Sequence, residues 1–139
     1  MSSKKIFIDS SALYAFVDRA DPNHTQSGKI IEQLSLQNMH LYTSIQSITD
    51  TYTALDRQLG GTLSLEFLQA TIESTMEILY PQKADLVSAY KLVKLNKNKQ
   101  VPLKEALNAV LMQKKSIGLV LTFRYWQNLL GSASYLTKF

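Results

Sequence analysis

Short apolar runs alternate along this chain with longer segments in which apolar residues recur every three or four positions. The first run, residues 6–8, predicts a buried strand, and residues 10–17 have the spacing of an amphipathic helix. Further strands are predicted at residues 40–43, 76–80, 119–122 and 134–138, and further helices at residues 22–36, 44–59, 63–73, 83–95, 102–115 and 123–130. Strands separated by helices form parallel sheets with helices on both faces. The pattern therefore predicts an α/β fold, with residues 1–139 in a single domain.

Composition places the chain among ordinary globular proteins. Apolar residues make up 45% and charged residues 19% of the sequence, and no run approaches the roughly 20 apolar residues that would span a bilayer. The basic start, Lys4-Lys5, is soon followed by an acid, which is not the pattern of a signal peptide. The chain has no cysteine and only two histidines, which excludes thiolate metal sites and argues against an all-histidine zinc site. These properties predict a cytoplasmic protein without membrane partners.

Charge is distributed unevenly along the chain. Residues 1–85 carry six Lys and Arg residues and ten acids, whereas residues 86–139 carry nine Lys and Arg residues and a single acid, Glu105, within a net charge of +4. A basic half indicates an anionic partner such as nucleic acid. Solvation alone would also explain the lysines at positions 91, 94, 97 and 99, since their spacing is close to that of one exposed helix face.

Acidic and hydroxyl side chains stand where the predicted strands end. Asp9 follows the first strand, Ser44 follows the second with Asp50 about two helical turns later, and Thr122 ends the fourth. Glu105 lies near the start of the helix before that fourth strand. Because the carboxyl ends of parallel strands share one crevice, the three carboxylates are expected to lie there together. Asp9 is equally well explained as the cap of the helix that follows it.

An acidic cluster of this kind suits one class of chemistry. Clustered carboxylates repel one another and need a cation between them. Oxygen ligands favour Mg²⁺ or Mn²⁺ over zinc, and these ions bind phosphate oxygens and orient water for attack. Together with the basic half, the cluster predicts hydrolysis of phosphodiester bonds in a nucleic acid. No glycine-rich loop follows the first strand, which argues against a flavodoxin-like nucleotide-binding domain.

Five segments, at residues 6–15, 21–24, 42–53, 102–106 and 120–123, form an ordered set of motifs that covers essentially the whole chain. The set begins with Ile-Phe-Ile-Asp-Ser-Ser-Ala-Leu-Tyr-Ala and ends with Val-Leu-Thr-Phe. It resembles the PIN-domain family, the small α/β nuclease fold of ribonuclease toxins and RNA-processing factors. The resemblance implies a three-layer α/β/α sandwich around a parallel sheet of about five strands, with a cleft of three or four acids that holds Mg²⁺ or Mn²⁺.

Three acids of this chain match the family's catalytic and metal-binding set by position. Asp9 matches the first aspartate, Asp50 stands where the family usually has glutamate, and Glu105 stands where it usually has aspartate. The two exchanges keep the charge but change the reach of each side chain by a methylene. Three hydroxyl residues either support these acids or cap helices and satisfy strand ends: Ser10, Ser44 and Thr122.

Arg124 is the main departure from the family's pattern, because it stands where a fourth acid usually follows the Thr-Phe pair. Its guanidinium is always charged and opposes a cation by roughly 4 kcal/mol per unit charge at about 4 Å and an effective dielectric constant near 20. Arg124 either pairs with Asp9 or Glu105 in the metal position, or points outward and binds a phosphate. Two functions follow: a metal-dependent ribonuclease, of the kind that acts as a toxin, and a catalytically degenerate module that binds RNA or a protein.

The resemblance also implies binding partners. RNA is the expected substrate or ligand, and a toxin would have an antitoxin protein as its partner. Apolar residues beyond a single stripe on the first two helices, among them Leu13, Phe16, Ile31 and Leu34, predict the surface of a homodimer.

Overall fold

The structure, a computed structural model, describes residues 4–124, 126, 130–131 and 133–135 of the chain. The strands in these ranges are Lys5–Ile8 (β1), His40–Ser44 (β2), Glu77–Leu79 (β3), Leu119–Leu121 (β4) and Ala133–Ser134 (β5). The helices are Ser10–Val17 (α1), His24–Leu36 (α2), Ile45–Leu59 (α3), Gly61–Glu73 (α4), Lys83–Leu95 (α5) and Leu103–Lys114 (α6), with a 3-10 turn at Lys97–Lys99. The alternation of strands and helices predicted from the sequence is confirmed.

The sheet has the order β3-β2-β1-β4-β5, and every pair of neighbouring strands is parallel. β1 lies at the centre, with Ile6 opposite Leu41 of β2 and Ile8 opposite Leu121 of β4. The chain builds outward from β1 to β3 and then crosses back to β4, so the strand order reverses beside β1. Such a reversal opens a crevice at the carboxyl ends of the strands, which is where open α/β sheets bind ligands.

Successive residues of β1 face opposite sides of the sheet and belong to different cores. Ile6 and Ile8 pack against α1 to α4, with Leu34 and Leu55 among the buried helix residues. Phe7 faces the other side and packs against α6, where Met112 is fully buried. This arrangement is a three-layer α/β/α sandwich, as the resemblance predicted.

Two adjacent glycines separate α3 from α4. Gly60 has φ +93°, a left-handed conformation that glycine adopts without the penalty of a Cβ, and it ends α3. α4 then begins at Gly61, before the predicted start at residue 63, and Gly60 rather than a hydroxyl residue stands at its cap. The helix predicted at residues 63–73 has Thr62 and Ser64 as its candidate caps on the sequence, and this prediction is wrong. Ser64 is buried and donates to Asp56 instead, at 3.2 Å.

The inward face that apolar spacing predicts for α5 is confirmed in part. It consists of Leu86, Ala89, Tyr90 and Val93, of which Ala89 is buried and Val93 packs against the core. Leu86 and Tyr90 are instead largely exposed, and Asp85 is buried. The reason is that α5 packs on α6, where the small side chain of Ala89 permits close approach. Asp85 is satisfied there as part of a capping box and by Lys114, at 3.4 Å.

Several other predictions are limited by what the structure describes. Half of the predicted helix at residues 123–130, namely residues 125 and 127–129, and residues 136–138 of the predicted last strand lie outside the described residues. Leu13 and Leu34, expected to contribute to a dimer surface, are buried in the core, whereas Phe16 is 47% exposed. The homodimer stays a prediction. None of the described helices is long and apolar enough to cross a membrane.

Leu34 and Leu36 of α2 offer a matched test of this packing. Leu34 is fully buried and Leu36 is 78% exposed, so the same truncation removes core contacts at one position only. Leu34→Ala should lower the free energy of unfolding by about 2–5 kcal/mol, and Leu36→Ala should change it by less than about 0.5 kcal/mol. Urea denaturation measures both. Equal effects of the two substitutions would show that α2 packs through a different face.

Candidate functional site

A cleft of about 450 Å³ lies at the carboxyl edge of the sheet, beside the ends of β1 and β4. Its walls come from α1, α3 and the residues that follow β4. The residues that line it include Ser10, Ser11, Tyr14, Asp21, Asn23, Asp50, Phe123 and Arg124. The crevice expected from the strand order is therefore present, and one of the three predicted acids lines it directly.

Asp9 lies at the inner end of this site and is fully buried. Its Oδ1 accepts hydrogen bonds from the backbone N–H of Ala12 at 3.1 Å and from the Ser11 hydroxyl at 2.6 Å. Its Oδ2 accepts a hydrogen bond from the Thr122 hydroxyl at 2.5 Å. Burial raises the pKa of Asp9 above its ordinary value, the three hydrogen bonds oppose that shift, and the charge of Glu105 adds to it. Asp9 therefore caps α1, and protein donors bind both of its carboxylate oxygens.

Asp50, in the second turn of α3, forms the shortest ion pair of the site. Lys104 at the start of α6 places its Nζ 2.6 Å from Oδ2 of Asp50 and 3.2 Å from the hydroxyl of Ser10. Partial burial opposes ionisation of Asp50, but hydrogen bonds from Lys104 and Ser10 outweigh it and lower the pKa of this carboxyl. Asp50 is thus an ionised carboxylate whose counter-ion comes from another helix.

Glu105 is almost completely buried, and two cations of the chain lie beside it. Nη1 of Arg124 is 3.4 Å from Oε1 of Glu105, and Nζ of Lys104 is 3.8 Å from the same oxygen. The side chain of Arg124 is still 41% exposed and lines the cleft. Of the arrangements predicted for Arg124, the structure has the pairing with Glu105 and also leaves part of the guanidinium facing the cleft.

A buried amide network fixes α3 to α6 below these charges. Oδ1 of Asn108 lies 2.7 Å from the hydroxyl of Ser44 and 2.8 Å from Nε2 of Gln46, and Nδ2 of Asn108 is 3.3 Å from the hydroxyl of Ser47. Ser44 also caps α3 by accepting from the N–H of Ser47 at 3.1 Å. The network holds the helix that bears Asp50 against the helix that bears Lys104. Ser44 therefore helps to hold the start of α3, the helix of Asp50, in place.

The donor set of this cleft does not fit a divalent metal in this arrangement. Among the described residues, no three Asp, Glu or His side chains converge closely enough to hold a metal ion. Lys104 lies between Asp50 and Glu105, Arg124 pairs with Glu105 from the other side, and the oxygens of Asp9 accept three protein donors. A divalent ion needs carboxylates whose charge is not already balanced.

Sequence reasoning missed two residues that decide the character of the site. Lys104 lies in one of the matched motifs, in the first turn of α6. A cation there opposes the helix dipole, and this unfavourable position is the feature that could have identified Lys104 from the sequence. Asn108 was missed because a lone amide on an apolar helix face gives no pattern. Its importance appears only when the fold brings Asn108 next to Ser44, Gln46 and Ser47 at the start of α3.

No model of a known protein family matches this chain, and no curated protein matches its sequence. Solved structures match its fold. VapC20 from Mycobacterium tuberculosis, a sarcin-ricin loop cleaving toxin, superposes with a TM-score of 0.82 at 17% identity, over 92% of this chain and 96% of its own. FitAcB from Neisseria gonorrhoeae superposes with a TM-score of 0.69 at 14% identity, over 94% of this chain and 96% of its own. The fold is PIN-like, as the sequence motifs predicted.

Asp9→Asn should change how the stability of the protein depends on pH. The raised pKa means that the folded chain holds the Asp9 proton more tightly than the unfolded chain, whose value is near 3.8. As the pH rises above 3.8, the free energy of unfolding of the wild type should therefore fall relative to that of Asp9→Asn, until the folded-state pKa is passed. Urea denaturation of both proteins from pH 4 to 7 measures this difference, in which the shared titrating groups cancel. Parallel profiles would contradict it.

Proposed function

We propose that this chain is a PIN-like protein that binds RNA in the cleft at the carboxyl edge of its sheet, with side-chain cations instead of a divalent metal against the phosphates. The observation that most supports this is the guanidinium of Arg124. It lines the cleft, it is partly exposed, and its one side-chain contact with the described residues is the 3.4 Å pair with Glu105. The remaining N–H groups are free to bind a phosphate in the planar, two-point manner typical of arginine.

The walls of the cleft suit a nucleotide unit next to that phosphate. Phe123 and Tyr14 provide aromatic surface on which a base can stack, a contact worth about 1–3 kcal/mol per base. Ser10 and Asn23 provide polar groups for the sugar or the base. The volume of about 450 Å³ lies in the range of ordinary ligand sites.

Basic residues of the second half add positive charge outside the residues that line the cleft. The lysines on α5 and the 3-10 turn, at positions 91, 94, 97 and 99, are exposed, and none of them forms an ion pair with a described residue. Their charge is therefore available to a polyanion. Contacts between such side chains and the phosphate backbone supply most of the affinity of proteins for nucleic acids, and they do not select a sequence.

Metal-dependent hydrolysis of RNA, with Mg²⁺ or Mn²⁺ held by Asp9, Asp50 and Glu105, is the second candidate function. Its support is the likeness of the fold to VapC20, an RNA-loop cleaving toxin. Fold alone does not determine chemistry. The positions of Lys104 and Arg124 beside Glu105 favour RNA binding over RNA cleavage. An antitoxin partner, a homodimer, a single-domain organisation and a cytoplasmic location stay predictions.

Arg124→Ala should weaken RNA binding on the order of tenfold, because one phosphate contact is lost. The slope of the logarithm of affinity against the logarithm of salt concentration should become shallower by about 0.7 for single-stranded RNA. Fluorescence anisotropy with a labelled short RNA in EDTA measures both quantities. Lys29→Ala, which removes one exposed charge from α2 outside the cleft, is the control and should leave them nearly unchanged.

The two candidate functions predict different results when the same RNA is incubated with Mn²⁺. Binding without cleavage is expected, so the wild type should leave the RNA intact on a denaturing gel at the protein concentrations that saturate it. Asp50→Asn is the matched control, since it removes one acid and keeps the volume of the side chain. Cleavage by the wild type that is lost in Asp50→Asn would overturn the binding proposal and establish the ribonuclease.

A further inference from the structure

Lys104 is the cation that lies closest to the candidate acids. Its Nζ is 2.6 Å from Oδ2 of Asp50, 3.2 Å from the hydroxyl of Ser10 and 3.8 Å from Oε1 of Glu105. These oxygens belong to α3, α1 and α6, so a single ammonium group joins three helices at the head of the cleft. A hard cation would have to occupy the same space, because it would bind the same oxygens.

The local position of Lys104 makes this placement unusual. It is the second residue of α6, where the backbone N–H groups of the first turn carry a partial positive charge. A lysine is disfavoured there unless anions compensate it, and Asp50 and Glu105 are those anions. A residue that violates a local preference while satisfying a tertiary contact is typical of functional sites.

The charges of Asp50 and Glu105 are already balanced. These two acids contribute two negative charges, and Lys104 and Arg124 contribute two positive charges within 4 Å of them. At these two carboxylates a divalent ion would therefore meet no excess of negative charge, and it would have to displace the ammonium group. Without that group, the two carboxylates and the Ser10 hydroxyl would be available to one cation with water completing its shell.

We infer that Lys104 is the resident cation of this site and that its ammonium group keeps divalent metals away from Asp50 and Glu105. The inference rests on the proposed function and deepens it, because an ammonium group that neutralises Asp50 and Glu105 lowers the repulsion between these acids and the phosphates of RNA without a metal. The ammonium group of Lys104 thus neutralises the acids as a bound ion does in a metal site, but it is covalently part of the chain and does not depend on metal concentration.

The test is calorimetric titration of Mn²⁺ into the wild type, Lys104→Ala and Lys114→Ala. Lys114 lies in the same helix and also pairs with a buried acid, at 3.4 Å from Asp85, but among the described residues it has no second acid within 4 Å. Lys104→Ala is expected to fold, because Asp50 is 44% exposed to water and Glu105 keeps Arg124 as its partner. The thermal midpoint of each protein, measured with and without Mn²⁺, verifies folding and gives a second readout of binding.

Lys104→Ala should bind Mn²⁺ with a dissociation constant of about 1 mM or lower, and its thermal midpoint should rise by about 4 °C at tenfold that concentration. The wild type and Lys114→Ala should show neither effect, and Lys104→Ala combined with Asp50→Asn should lose both. Binding of Mn²⁺ by the wild type, or no binding by a folded Lys104→Ala, would overturn the inference. Failure of the proposed function would appear separately, as a wild type that does not bind RNA in EDTA.

Discussion

A carboxylate buried at the end of the central strand is the constraint on which the rest of this site depends. Asp9 loses its hydration on folding, so the protein has to supply its hydrogen bonds. The donors come from the first turn of α1 and from Thr122 at the end of β4, which ties the two neighbouring strands together at their carboxyl ends. Ser11 adds to this by accepting from the N–H of Phe123 at 3.0 Å. Satisfying one buried charge therefore sets the course of the chain immediately before Arg124.

The rest of the site depends on how the charge of the buried acid Glu105 is compensated. Glu105 is buried, and a lone buried charge is far more costly than a paired one. A metal ion is one solution, and two side-chain cations are another. In this chain Arg124 reaches Glu105 from the end of β4, and Lys104 reaches it from the preceding position on α6 while also pairing with Asp50. Compensation by two side-chain cations retains the acids and the fold around them, but it changes the kind of ligand that the cleft binds.

Much of the fold and part of the site could be predicted from the sequence. Residues 6–8 are apolar in succession because both faces of a central parallel strand are buried, and Asp9 stands out because it ends that run. The face of α5 could be predicted only in part, because α5 packs on another helix through Ala89 and Val93, as its spacing indicates, while Leu86 and Tyr90 are left exposed. The role of Lys104 could not be predicted. Its partner, Asp50, is 54 positions away, and only the folded chain brings the N-terminal parts of α3 and α6 together at the carboxyl edge of the sheet, where the two side chains lie 2.6 Å apart.

The relation between fold and chemistry follows from where these charges lie. A TM-score of 0.82 at 17% identity means that the backbone framework is retained while most side chains differ. The shared backbone explains why the polar groups of the site lie at the carboxyl edge. The reversal of the strand order opens a crevice there, whichever residues line it. The net charge at this edge depends on a few side chains, and here Lys104 and Arg124 neutralise Asp50 and Glu105. An acidic cluster inside a PIN-like fold is therefore not sufficient for metal chemistry, because the cations that neutralise it can belong to the chain itself.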